Sequence, residues 1–160
     1  MNHTAPLGLP VVHLVDDEAV VREALGWLLR TRRLLSEPHA SGEAFEAWLA
    51  AHAAVLEGAP SCLLLDMRMP GGMSGLQLFE RLIERRLLDV LPVIFLSGHG
   101  DVATAVAAIQ RGAFDFVEKP FSDNALVDRI ERALAASRVA LERRRERAAL
   151  RERLAELTER

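Results

Sequence analysis

Apolar residues along this chain fall into two spacings. Short runs occur at Val11-Val12-His13-Leu14-Val15, Cys62-Leu63-Leu64-Leu65, Val93-Ile94-Phe95-Leu96 and Phe114-Asp115-Phe116-Val117. Runs apolar on both faces predict buried strands of a parallel sheet covered by helices on each side. Leu34 to Ala40 predicts a weaker strand, and Pro38 places it at an edge. Between the runs, apolar residues recur three and four apart. Val21, Ala24, Leu25, Leu28 and Leu29 mark one helix; Ala44, Phe45, Trp48, Leu49 and His52 mark a second. Leu78, Phe79, Leu82 and Ile83 mark a third, running to about Arg86. Val102, Ala105, Val106 and Ile109 mark a fourth; Leu126, Val127, Ile130 and Leu134 mark a fifth. Ser41, Asp101 and Asp123 are placed as N-caps, and Gly112 as a helix stop. Five strands alternating with five helices predict an α/β fold: a doubly wound, five-stranded parallel sheet. Its strands then share one carboxyl edge, where functional groups of such sheets collect. His13, with no second histidine near it in the chain, reads as a strand residue with a hydrogen-bonded ring.

Composition narrows the class. The chain has 160 residues, half of them apolar, enough for one domain with some surplus. A net charge of -3 argues against a nucleic-acid surface over the whole chain. The single cysteine, Cys62, lies inside a strand, so there is no disulfide framework. No apolar stretch approaches ~20 residues, and the first ten residues do not read as a signal peptide. These features predict a soluble, cytoplasmic protein with no membrane partner.

Polar groups then stand where the runs stop. Asp16-Asp17 follows the first strand, Asp66 ends the third, Ser97 ends the fourth, and Lys119 follows the fifth. Three carboxylates at close quarters repel unless a cation joins them. An acidic, oxygen-rich pocket suits Mg²⁺, which shares a few carboxylates with a phosphate. A lysine and a hydroxyl opposite suit phosphate oxygens. The set predicts a site for a phosphoryl group on or beside one acid.

These pieces resemble the receiver domain of two-component response regulators. The matching stretches are Val15-Asp16-Asp17-Glu18, Leu65 to Pro70, Leu96 to Asp101 and Gly112 to Phe121. The resemblance covers about residues 10–136, and the wording around Ser97 and Lys119 is most similar to the FixJ-like (NarL/FixJ) transcription factor subfamily. It implies a flavodoxin/CheY-like (βα)5 fold. It implies that Asp66 is the phosphoacceptor for a sensor histidine kinase, with Asp16, Asp17, Asp66 and the backbone carbonyl of Arg68 around Mg²⁺. It implies that Ser97 and Lys119 contact the acyl phosphate, and that the Lys119-Pro120 bond is cis. Ser97 and Phe116 would form the switch, moving the 101–136 face to favour a homodimer. Phe116 also reads as an ordinary alternating strand aromatic, and both readings stand at this point.

The loop at Gly71-Gly72 is one residue longer than usual for the family. Arg68 and His99, each two residues past a site residue, are placed to screen the acyl phosphate from water. Residues 1–10 read as an extension, 11–136 as the receiver, and 137–160 as a helical linker rich in arginine and glutamate. Leu134, Leu141, Ala148 and Ala155 repeat every seven residues, which allows a weakly specified coiled coil. The close at Leu157 to Arg160 resembles the opening of a DNA-binding helix-turn-helix domain, expected after residue 160. DNA contact is therefore expected only through that missing domain. Two alternatives remain: a stand-alone phosphorelay shuttle, and a Mg²⁺-dependent aspartyl phosphohydrolase. The second needs an acid or base two residues past its nucleophile, where this chain has Arg68.

Overall fold

In the computed structural model, which describes residues 5–98 and 100–159, five parallel strands form one sheet. They are β1 (Val11–Val15), β2 (Leu35–His39), β3 (Ser61–Asp66), β4 (Val93–Ser97) and β5 (Asp115–Glu118). Their order is β2-β1-β3-β4-β5, so the Pro38 strand is indeed an edge. The helices are α1 (Ala19–Thr31), α2 (Gly42–Ala51), α3 (Ala53–Gly58), α4 (Gly75–Glu84), α5 (Val102–Gln110) and α6 (Asp123–Glu159).

The alternation of strand side chains builds two cores. Leu63, Leu65, Val93 and Phe95 face Phe45, Leu49, Phe79 and Leu82 on one side of the sheet. Cys62, Leu64, Ile94 and Leu96 face Leu25, Leu29, Leu126 and Ile130 on the other. The unbroken apolar character of β3 and β4 follows, since each strand feeds both layers.

Six helices replace the five predicted, because the second unit breaks at His52. Its backbone leaves the helical region (φ -131°, ψ 29°), its ring nitrogen lies 3.0 Å from the Trp48 carbonyl, and the two rings stack. Two predicted caps also differ. Ser122, not Asp123, accepts the Ala125 N–H at the start of α6. Asp101 stands at the N-cap of α5 without capping it, its side chain being engaged elsewhere. Ser41 caps α2 as predicted.

The last helix does not stop at the edge of the sheet. α6 is continuous for 37 residues, and burial along it continues through Ser137 to Leu141. Ser137 is the reason it holds its line. Its hydroxyl donates to the Val90 carbonyl (2.6 Å) and accepts the Ser61 N–H (3.0 Å), tying α6 to the start of β3. The Ser137→Ala variant leaves that buried N–H without a partner, so we expect a loss of about 2 kcal/mol in urea unfolding.

A second buried polar pair lies between β1 and β2. His13 Nδ1 and His39 Nε2 are 3.2 Å apart, packed against Phe45 and Trp48. One ring donates and the other accepts, so the two cannot both be protonated. Burial, with His39 adding to it, pushes His13 down to about 3; burial pushes His39 down to about 4. Below pH 6.5 the unfolded chain therefore takes up protons that the folded chain refuses. Each histidine should cost about 1.4 kcal/mol of stability per pH unit as pH falls from 6.5 toward 4. Urea unfolding at pH 7.5 and 5.5, compared with a His13→Leu/His39→Leu variant, measures this slope. Parallel pH profiles for the two proteins would contradict it.

Candidate functional site

Strand register assembles the site. Val15 pairs with Leu65, so Asp16 follows β1 beside Asp66 at the end of β3. Asp66 pairs with Leu96, putting Ser97 one step further on the neighbouring strand. Ser97 pairs with Glu118, and the Lys119 N–H donates to the Ser97 carbonyl (2.9 Å). Asp16, Asp66, Ser97 and Lys119 thus occupy the shared carboxyl edge. The Lys119-Pro120 bond is cis.

The two buried acids sit uncomfortably. Burial pushes the Asp66 carboxyl up to about 6; Lys119 opposes the rise, and Asp16 and then Asp17 add to it. Burial also raises Asp16, against the Glu18 N–H and Lys119. That N–H reaches Asp16 Oδ1 at 2.9 Å, whereas Asp16 Oδ2 is buried with no hydrogen-bond partner among the described residues. Carboxylate oxygens of Asp16, Asp17 and Glu18 lie within 4.8 Å of one another. An orphaned buried oxygen in an all-oxygen acidic cluster is what a hard divalent cation requires. Glu18 belongs to this cluster although it is not among the site residues the sequence predicts; three consecutive acids are the available signal. Asp66 is not part of the 4.8 Å cluster, and its tie to Asp16 and Asp17 is electrostatic.

The remaining residues frame the pocket. The Arg68 N–H approaches Asp66 Oδ1 at 3.4 Å, while the Arg68 side chain forms an ion pair with Asp101. Ser97 is fully buried, and its hydroxyl approaches the Val117 carbonyl of β5 at 3.5 Å. Phe116, next to that carbonyl, is partly buried against the core that contains α5. Its N–H is held by Asp115 Oδ1 (2.8 Å), and Asp115 Oδ2 accepts from Arg129 of α6 (3.0 Å). His99, predicted to screen the site, lies outside the described residues.

The Gly71-Gly72 loop is latched to α2, where Glu43 Oε1 accepts the Met73 N–H (2.6 Å). Gly71 takes a positive φ of 92° there. Ser74 and Gln77 then form a capping box that starts α4. The sequence reading did not use that box, although Ser-x-x-Gln is its usual signature.

With this geometry, the chain belongs to the response regulator receiver domain family, whose profile matches residues 12–131. It is 46% identical over 126 residues to the C4-dicarboxylate transport transcriptional regulatory protein DctR of Rhodobacter capsulatus, covering 78% of this chain and 60% of that protein. It is 43% identical over 122 residues to the transcriptional regulatory protein FixJ of Rhizobium meliloti, covering 76% and 55%. This chain thus spans little more than half the length of these relatives. Among solved structures, FixJ-N superposes with a TM-score of 0.69 at 38% identity, covering 81% of this chain and 96% of that one. The response regulator StyR superposes with a TM-score of 0.72 at 36% identity, covering 95% and 70%. Among the described residues, no helix is long and apolar enough to cross a membrane.

Proposed function

We propose that this chain is the phosphorylation-controlled receiver of a transcriptional regulator and that Asp66 is its phosphoacceptor. The observation that carries the reading is an acidic cluster whose buried member, Asp16, has an orphaned oxygen and lies by strand register beside Asp66 and within the field of Lys119. An Asp66 oxygen attacks the phosphorus of a phosphohistidine on a sensor kinase. The P–N bond breaks, and its electron pair stays on the imidazole. Asp16 and Asp17, with Asp66 and the Arg68 carbonyl, would hold Mg²⁺, which supplies charge neutralisation for the transferring group. Lys119 neutralises phosphoryl oxygens from the other side, and the Ser97 hydroxyl turns from Val117 to donate to them. That turn opens space for Phe116 to move inward, driven by burial, since its ring carries no hydroxyl.

The switched face, residues 101–136, then favours a homodimer. Residues 11–136 act as the receiver, and 137–160 as a helical linker to a DNA-binding domain, the cell compartment being the cytoplasm. The relatives named above are transcriptional regulators longer than this chain, which favours this reading over a stand-alone shuttle. Against a hydrolase, the residue two past the nucleophile is an arginine paired to Asp101, which offers no acid or base.

Acetyl phosphate is the test. With Mg²⁺ the protein should gain one phosphoryl group and stop; with chelator it should gain none. Sustained turnover of a phosphate ester would instead indicate an enzyme.

A further inference from the structure

Arg68 is connected to two places at once. Its backbone N–H reaches the acceptor carboxylate, and its guanidinium pairs with Asp101 on the far side of the β4–α5 connection. Exposed ion pairs are worth little, but this one is lopsided: the Arg68 side chain is 76% exposed and that of Asp101 only 5%. Asp101 Oδ2 accepts the Gly98 N–H (3.2 Å). Its Oδ1 is buried and makes no hydrogen bond, so the Arg68 guanidinium is its compensation among the described residues. Asp101 is also the residue from which α5 starts; its carbonyl accepts the Ala105 N–H (2.9 Å).

We propose that Arg68 and Asp101 form a latch across the mouth of the site, in which Arg68 exchanges Asp101 for the phosphoryl group on Asp66 and the stranded Asp101 releases Gly98 and the first turn of α5. This inference rests on the assignment of Asp66 as acceptor. Two properties drive the exchange. A phosphoryl group adds negative charge and oxygens that a guanidinium grips in pairs, more strongly than it grips a single carboxylate oxygen. A buried carboxylate that loses its cation is strongly destabilised where it stands, so Asp101 must move toward water. Gly98 and α5 move with it, and α5 carries Val102 and Val106, both exposed apolar residues. The latch therefore passes a charge change at Asp66 to α5 by a route separate from Ser97 and Phe116.

Amide NMR spectra of the whole chain, with and without beryllofluoride and Mg²⁺, test both halves. Without beryllofluoride, Arg68→Ala should already move the Gly98 and Ala105 amides, and Arg68→Lys should return them toward wild type. With beryllofluoride, the wild-type amides should move in the direction that Arg68→Ala moves them. Arg68→Ala should also raise the beryllofluoride needed for half-maximal shift of the Phe116 amide by about tenfold, because it removes the guanidinium grip that drives the exchange. If Arg68→Ala leaves Gly98 and Ala105 unmoved at rest, there is no latch. If beryllofluoride moves the Phe116 amide but not these two, the latch does not respond to the site. If the wild type shows no response anywhere, the acceptor assignment fails instead, and the resting comparison still decides the contact.

Discussion

Asp66→Asn should lose phosphoryl labelling by about a hundredfold or more while the protein becomes more stable. The first half follows from chemistry: a carboxamide cannot form the acyl phosphate. The other acids should not substitute, since Asp16 and Asp17 are the side chains that would hold Mg²⁺ rather than attack the phosphorus. The second half follows from burial. The Asp66 carboxyl is raised to about 6, so the folded state holds its proton more tightly than the unfolded chain does. That contribution to stability is present below the unfolded value and is lost as pH rises through 6. At pH 7.5 without Mg²⁺, an uncharged Asn should therefore gain on the order of 1–2 kcal/mol. Adding Mg²⁺ should stabilise the wild type more than the variant. Wild-type labelling should fall as pH drops through about 6, and added Mg²⁺ should move that midpoint lower, because proton and cation compete for the same oxygens. Mass spectrometry and urea unfolding read both halves. A variant still labelled at one equivalent would remove Asp66 from its role.

Gly75→Ala should be the most damaging single-methyl change in the chain. A Cβ at Gly75 would lie 2.0 Å from the Asp66 carbonyl oxygen and 3.1 Å from Met67 Cα. Both are backbone atoms, so no side chain can rotate away. The start of α4 has to shift off the end of β3, against the packing of Leu78 and Phe79. Overpacking of this kind costs about 3 kcal/mol or more, roughly 6–12 °C in Tm for a chain of this size. The shift would also drag the backbone that carries Asp66, so labelling should slow in protein that remains folded. A Tm within 2 °C of wild type would show that α4 has room the structure does not display.

These two positions also show what a linear reading reaches. Asp66 was legible because four buried apolar residues stop at a charge, and a sheet edge collects such stops. Asp16, Ser97 and Lys119 were legible for the same reason, repeated on three other strands. Nothing in the sequence singles out Gly75, because its constraint comes from a strand end nine residues earlier. Asp101 looked like an N-cap, because Asp before a helix usually is one; its partner Arg68 is 33 positions away. The break at His52 depends on a ring stacked over Trp48, and helix periodicity does not register it. Groups that recur where apolar runs stop are readable in the sequence; a backbone clash, an ion pair or a ring stack that forms only on folding is not.

The single unbroken α6 has a mechanical consequence. Its fully buried positions end at Leu141, with Arg144 and Arg145 still tied to Asp89 and the Ala5 carbonyl, so the turns beyond project as a stiff rod anchored at one end. From Arg129, beside Asp115, to Glu159 the helix rises about 45 Å, so a tilt of ~10° pivoting there would swing the far tip by ~8 Å. Small repacking beside Phe116 would thus be magnified, by leverage alone, into a displacement large enough to reorient whatever the rod carries.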